Sequence, residues 1–204
     1  AEDLNVSFPL TNWVTRADTP PSAGDKNLDV DLPDSLIRVD DQHVIWPRNT
    51  EYEIFPVGGQ RHTLGALFIL GHRGALGQRV PPWKPVVEAT RAEDPDVLFD
   101  MDKLAWPFAM TLPVIASDAT YELANNHLWR TEFAFREWYT PAPPFIAPPY
   151  GGTQGGESEW IDFTLGMYYT LLNCGLRLPP SAGTANGVHP VPAGFGRVYV
   201  RLPD

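Results

Sequence analysis

Short apolar runs alternate with Gly- and Pro-rich segments along most of this chain. Runs of β-branched and aromatic residues are typical of strands, because such side chains pack well on a pleated surface. The run at 63–70 is almost entirely apolar, which indicates a strand that is buried on both faces. In all, the sequence predicts strands at residues 4–10, 35–39, 43–47, 51–57, 63–70, 97–101, 121–124, 181–184 and 197–202.

Three stretches have features of helices. Residues 86–92 directly follow a proline, which is favoured in the first turn of a helix. Residues 128–139 space Trp129, Phe133 and Arg136 for one helical face. The clearest pattern covers residues 158–174, with Ser158 as a suitable N-cap and Gly175 after the last turn. Strands that alternate with helices and loops predict an α/β fold with mainly parallel strand pairing.

The segments 51–57 and 63–70 are predicted to form a hairpin through the turn at 57–60. Glu51 and His62 then lie at strand ends on either side of this hairpin. Facing strands could bring the carboxylate and the imidazole together as metal ligands or as an acid–base pair. The alternative is a surface glutamate and a histidine that is bonded to a turn carbonyl, and spacing alone does not decide between them.

Polar side chains follow several of the predicted strands. In sheets of mainly parallel strands, ligands bind beyond the carboxyl ends of the strands. The sequence therefore predicts a polar site at this edge of the sheet. The residues found at such ends are Asn12, Glu51, Asp102, Asn125, His127 and Thr184.

Other candidates for chemistry each have an ordinary structural alternative. Asp102 and Lys103 could supply a base and a cation, or could form an ion pair that ends a strand. His127 and His189 could be ligands, or a structural histidine and an exposed turn residue. Cys174 is rejected as a nucleophile because it ends a predicted helix, where the helix dipole is negative.

Composition narrows the class of protein. A chain of 204 residues is expected to form one domain, and its 43% hydrophobic and 20% charged content excludes intrinsic disorder. A net charge of −10 without any basic cluster excludes a nucleic-acid partner. No apolar run reaches the roughly 20 residues that span a bilayer, so no membrane partner is expected. The single cysteine excludes an intrachain disulfide.

Seven motifs, taken in order, resemble the CehA/McbA branch of the PHP metallohydrolases, a carbaryl-hydrolase-like group. The segment LLNCGLRLPPSAGT followed by GRVYVRL is the most specific part. The resemblance covers nearly the whole chain but only part of the family domain, because the family's opening His-x-His motif would precede Ala1. The motifs are LTNW at 10–13, RNTEYE at 48–53, RHTLGALF at 61–68, DMDKLAWP at 100–107, ELANNHLWRTEF at 122–133, LLNCGLRLPPSAGT at 171–184 and GRVYVRL at 196–202.

This resemblance implies a single domain at 1–204 that is a partial, distorted (β/α)7 PHP-type barrel lacking its N-terminal part. Members of the family bind divalent metals such as Zn, Mn or Fe at the carboxyl ends of the strands. They hydrolyse phosphoesters or, in this branch, a carbamate ester. The implied partner is a small-molecule substrate.

The resemblance also assigns site residues. Glu51 matches the glutamate ligand and His62 matches a histidine of the family pattern, and His127 and His189 are additional metal candidates. Asp102 and Lys103 stand at the family's His-Pro position, where they become the catalytic candidates.

Other ligand positions of the family carry different residues in this chain. Asn12 and Trp13 replace the Asp-His pair, and the closing motif reads Ala182-Gly183-Thr184. Two outcomes therefore stay open: a metal site rebuilt around the remaining candidates, or loss of the metal.

A second expectation belongs to a different functional class. Most of the seven tryptophans fall in predicted loops or at the ends of elements. Indole rings in such places can stack on sugar rings, although packing of loops onto the fold explains them as well. The alternative to a hydrolase is thus a non-catalytic barrel that binds a carbohydrate or other small ligand at an acidic, Trp-lined mouth.

Overall fold

The computed structural model describes residues 4–14, 33, 35–53, 56–57, 60–61, 66–72, 82–102, 111–125, 157–184 and 191–203. These residues form eleven strands and three helices in a mixed α/β arrangement. In chain order the elements are β1 (Val6–Ser7), β2 (Leu10–Val14), β3 (Ile37–Arg38), β4 (Val44–Ile45), β5 (Asn49–Glu53), β6 (Pro56–Val57), β7 (Gln60–Arg61), β8 (Ala66–Leu70), α1 (Lys84–Glu93), β9 (Leu98–Asp102), α2 (Leu112–Ile115), β10 (Thr120–Ala124), α3 (Glu157–Asn173) and β11 (Pro180–Ala182).

A six-stranded sheet in the order β11-β10-β9-β8-β5-β2 is the main element of the fold. Strands β2 and β5 pair in parallel, as do β9, β10 and β11. Strand β8 runs antiparallel to both of its neighbours, β5 and β9. The carboxyl ends of five strands therefore share one edge of the sheet with the start of β8.

One face of this sheet carries the hydrophobic core. Alternate strand residues point to this face because successive side chains of a strand lie on opposite sides. Helix α1 contributes Val86 and Val87, and α3 packs the Tyr168 ring against Tyr121 with centroids 5.2 Å apart. The strand residues of the core are Val14, Tyr52, Leu67, Ile69, Phe99, Met101 and Tyr121.

Two small sheets accompany the main one. Strands β1, β4 and β3 form a three-stranded sheet with β3 at one edge, which confirms the edge strand predicted at 35–39. The short hairpin β6–β7 pairs Val57 with Gln60. Antiparallel pairing of β5 with β8 confirms the predicted hairpin between 51–57 and 63–70.

Several predictions differ from the structure. The pairing is mixed because β8 is reversed, and residues 10–14 form a full strand where the sequence suggested that one ended. The predicted buried strand at 4–10 is reduced to Val6–Ser7, and Val6 is 46% exposed. Residues 197–202 form no strand, so that prediction is wrong.

The helix predictions hold where the structure describes them. Helix α1 covers the predicted 86–92, with Pro85 in its first turn. Helix α3 covers almost all of 158–174 but begins at Glu157, which places Ser158 within the helix instead of at its N-cap. The helix predicted at 128–139 lies outside the described residues. Within the described part of the chain, no helix is long and apolar enough to cross a membrane.

Candidate functional site

The face of the main sheet opposite the core carries five buried acidic side chains, which we call the carboxylate face. Each of these residues is at most 7% exposed. They alternate with core residues along their strands. Because successive side chains of a strand point to opposite faces of the sheet, the acidic side chains lie on the face opposite the core. The five residues are Glu51 and Glu53 on β5, Asp100 and Asp102 on β9, and Glu122 on β10.

Strand register places two of these side chains in one transverse row. Glu51 pairs with Phe68, which in turn pairs with Asp100, and Asp100 pairs with Thr120. In the next row toward the carboxyl ends, Ala66 lies between Glu53 and Asp102. The carboxylates thus come from three strands that run in the same direction. Glu53 and Asp102 are the last residues of β5 and β9, whereas the other three carboxylates lie in the middle of their strands.

Asp100 is tied to two other strands through one oxygen. Its Oδ1 accepts a hydrogen bond from Thr120 Oγ1 on β10 at 2.6 Å and another from Ser181 Oγ on β11. Burial, together with the smaller effect of the negative charge on Asp102, raises the pKa of Asp100 to about 6, although the hydrogen bonds from the Ser181 and Thr120 hydroxyls lower it. Asp100 therefore takes up a proton at a higher pH than an exposed aspartate does.

Two other carboxylates of the face are oriented by neutral donors. Asn125 Nδ2 donates to Asp102 Oδ1 at 3.0 Å, just beyond the end of β10. Trp13 Nε1 on β2 donates to Glu53 Oε2 at 3.1 Å. These bonds fix the positions of both carboxylates, as a binding or catalytic group requires.

Glu122 lies directly over the backbone of Gly183. A Cβ built on Gly183 would be 2.5 Å from Glu122 Oε2, which is closer than real Cβ contacts. The Gly183 amide donates to the Ala124 carbonyl at 2.8 Å, and a Cβ on Gly196 would collide with the Gly183 carbonyl oxygen. Glycine at 183 therefore leaves the space in which the Glu122 carboxylate sits.

The structure brings together part of the predicted site. Asp102 ends β9, and Asn125, just after β10, donates a hydrogen bond to it. Glu51 lies on the same face but in the middle of β5, not at a strand end as predicted, and β8 separates its strand from that of Asp102. Asn12 bonds instead to Thr50 and Thr184 to the Gly196 carbonyl. Lys103, His62, His127 and His189 lie outside the described residues, so their places in the site stay predictions.

No metal site is complete within the described residues. In that part of the chain, no three His, Cys, Asp or Glu side chains form a group that could hold an ion. The two described histidines lie away from the carboxylate face. His43 bonds through Nδ1 to Asp40 in an exposed turn, and His72 is buried after the opposite end of β8. A metal centre would thus need ligands beyond those described.

Sequence reasoning missed Glu53, Asp100, Glu122 and Ser181. The signal that could have found the first two is a pair of acidic residues two positions apart with a large apolar or aromatic residue between them, as in Glu51-Tyr52-Glu53 and Asp100-Met101-Asp102. Such a pattern marks a face that is buried and acidic at once, which an ordinary surface strand is not.

No known family model matches this chain, and no curated protein or solved structure shows significant similarity to it.

Proposed function

We propose that this chain is a metal-dependent hydrolase of the PHP type that cleaves an ester or phosphoester bond, with its site on the carboxylate face. The observation that supports this proposal is the set of five buried carboxylates on one face of the mixed main sheet. Buried carboxylates are normally paired or coordinate metal ions. The six-stranded sheet would then be part of the distorted (β/α)7 barrel expected from the resemblance.

The donor set suits a hard divalent cation, because carboxylate oxygens are the ligands that Mn²⁺ and similar ions bind well. Glu51 would be the first ligand, with His62, His127 and His189 as the predicted others. When bound, such a cation supplies Lewis acidity, which activates water near neutral pH and polarises the bond to be cleaved. The proposed metal is Zn, Mn or Fe.

The chain's own residues would orient and move protons. Asp102 and Lys103 are the proposed catalytic pair, a base and a cation at the end of β9. Asn125 holds Asp102 in one orientation through its 3.0 Å bond, and a base has to be fixed relative to the water that it deprotonates. Trp13 restrains Glu53 in the same way through its indole N–H.

The second candidate function is non-catalytic binding of a carbohydrate or other small ligand. It is favoured by the Trp13 indole, which lies half-buried beside the carboxylates and bonds to one of them. Aromatic rings beside acidic hydrogen-bond acceptors are typical of sugar-binding surfaces, because the ring face contacts the apolar side of a sugar while the acceptors bind its hydroxyls.

Metal binding separates the two functions. The protein is stripped with a chelator, titrated with Mn²⁺ by calorimetry, and assayed with p-nitrophenyl acetate, p-nitrophenyl phosphate and bis-p-nitrophenyl phosphate. We expect stoichiometric Mn²⁺ binding and Mn²⁺-dependent hydrolysis of at least one compound. Glu51→Gln should weaken Mn²⁺ binding by about tenfold or more, as ligand changes at metal sites do.

The matched control is Glu88→Gln, which removes the same charge from an exposed side chain that pairs with Lys84 on α1. This control should bind Mn²⁺ like the wild type. Absence of both Mn²⁺ binding and hydrolysis in the wild type would overturn the hydrolase proposal. Quenching of tryptophan fluorescence by a sugar, lost in Trp13→Ala, would then support the second candidate.

A further inference from the structure

We draw no further inference here: the strongest candidate, the exposed apolar segment of Val198, Tyr199, Val200 and Leu202 that follows the contact of Gly196 with the edge of the main sheet, carries nothing because nothing in the structure shows what covers it.

Discussion

Asp100 is the residue whose burial has the clearest thermodynamic consequence. Its pKa rises from 3.8 to about 6 on folding, chiefly because burial disfavours the charged form. Between about pH 4 and 6, Asp100 therefore keeps its proton in the folded protein, whereas in the unfolded chain it has already lost it. Protonation of Asp100 stabilises the folded state. This contribution to the free energy of unfolding is complete below about pH 4 and is lost as the pH rises through about 6.

The variant Asp100→Asn should remove this pH dependence, because the amide stays neutral while its Oδ1 still accepts hydrogen bonds. Relative to the wild type, we expect the variant to gain stability between about pH 4 and 6 and to reach a plateau of about 3 kcal/mol above about pH 6. The measurement is urea unfolding from about pH 4 to 8 with a chelator present. A difference between the proteins that does not change with pH would contradict the expected shift.

Gly183 is a second residue with a specific role, because its missing side chain makes room for Glu122. Gly183→Ala should destabilise the protein by about 1–3 kcal/mol, since overpacking forces side chains or backbone to move. In a Glu122→Ala background the same change should be much less costly, because the crowding atom is gone. Urea unfolding of the four proteins of this double-mutant cycle measures the coupling.

The comparison substitution is Gly175→Ala, at a position with no atom within 4 Å of a new Cβ but with a φ of +89°. Its effect of about 1 kcal/mol should come from backbone strain alone. It should therefore be the same in the wild-type protein and in the Glu122→Ala background. Equal losses for Gly183→Ala in both backgrounds would rule out the crowding by Glu122.

At the scale of elements, the side chain of Asn49, the first residue of β5, forms hydrogen bonds to three segments. These segments lie just before β2, just before β5 and just after β8. Its Nδ2 donates to the carbonyls of Pro9 at 2.7 Å and Trp46 at 2.8 Å, and its Oδ1 accepts from the Gly71 amide at 2.9 Å. The residue is 1% exposed, so water cannot replace these bonds. One amide group thus fixes three strands at the edge opposite the carboxyl ends.

Asn49→Ala should destabilise the protein by about 2–4 kcal/mol, because it leaves buried carbonyl and amide groups without their partner. Asn5→Ala is the matched control, since the Asn5 side chain donates a single exposed bond to the Gln42 carbonyl. The control should lose less than about 0.5 kcal/mol. Equal losses in thermal or urea unfolding would show that Asn49 is not a structural junction.

Elements with a strong local pattern were predictable. The apolar run of β8, the turn before it and the periodic helix α3 all appear where the sequence indicates, because each is determined by neighbouring residues. The antiparallel pairing of β8 with β9 and the assignment of β4 to a separate small sheet were not predictable. Both depend on pairing between residues far apart in the chain, which periodicity does not encode.

The same distinction applies to the site. Asp102 and Asn125 were predicted at one edge because each ends a strand, and they are hydrogen-bonded there. Glu53, Asp100 and Glu122 lie inside the predicted strands, so a search limited to the ends of strands did not select them. The strand 197–202 was predicted from alternation alone, yet the segment has exposed apolar side chains such as Tyr199 at 88%. An alternating pattern of apolar and polar residues shows that a segment can form a strand, but it does not show that a neighbouring strand is available for pairing.

At the scale of the whole molecule, the main sheet has an apolar face and an acidic face among the described residues. The described helices contribute to the core on one face, while five carboxylates line the other. Buried carboxylates without opposite charges beside them need bound cations or hydrogen-bond donors. The stability of the acidic face therefore depends on such partners. This asymmetry is the main reason for expecting function on that face.

The antiparallel position of β8 also has a consequence for how the chain folds. In the β5–β8 pair, Glu53 lies opposite Ala66, which is close to it in the sequence. In the β10–β11 pair, Glu122 lies opposite Ser181, which is far from it in the sequence. Contacts between residues that are near in sequence close short loops. Closing a short loop costs little chain entropy, so such contacts form early in folding. We therefore expect β5 and β8 to form the nucleus and β11 to join last.

Stopped-flow kinetics test this order. Leu67→Ala in β8 should mainly slow folding, and Ser181→Ala in β11 should mainly accelerate unfolding. The reverse assignment would place the nucleus at the other edge of the sheet. On the expected route, the β11 hydroxyl that bonds to Asp100 arrives after the rest of the sheet has formed, so the acidic face is completed in the last step of folding.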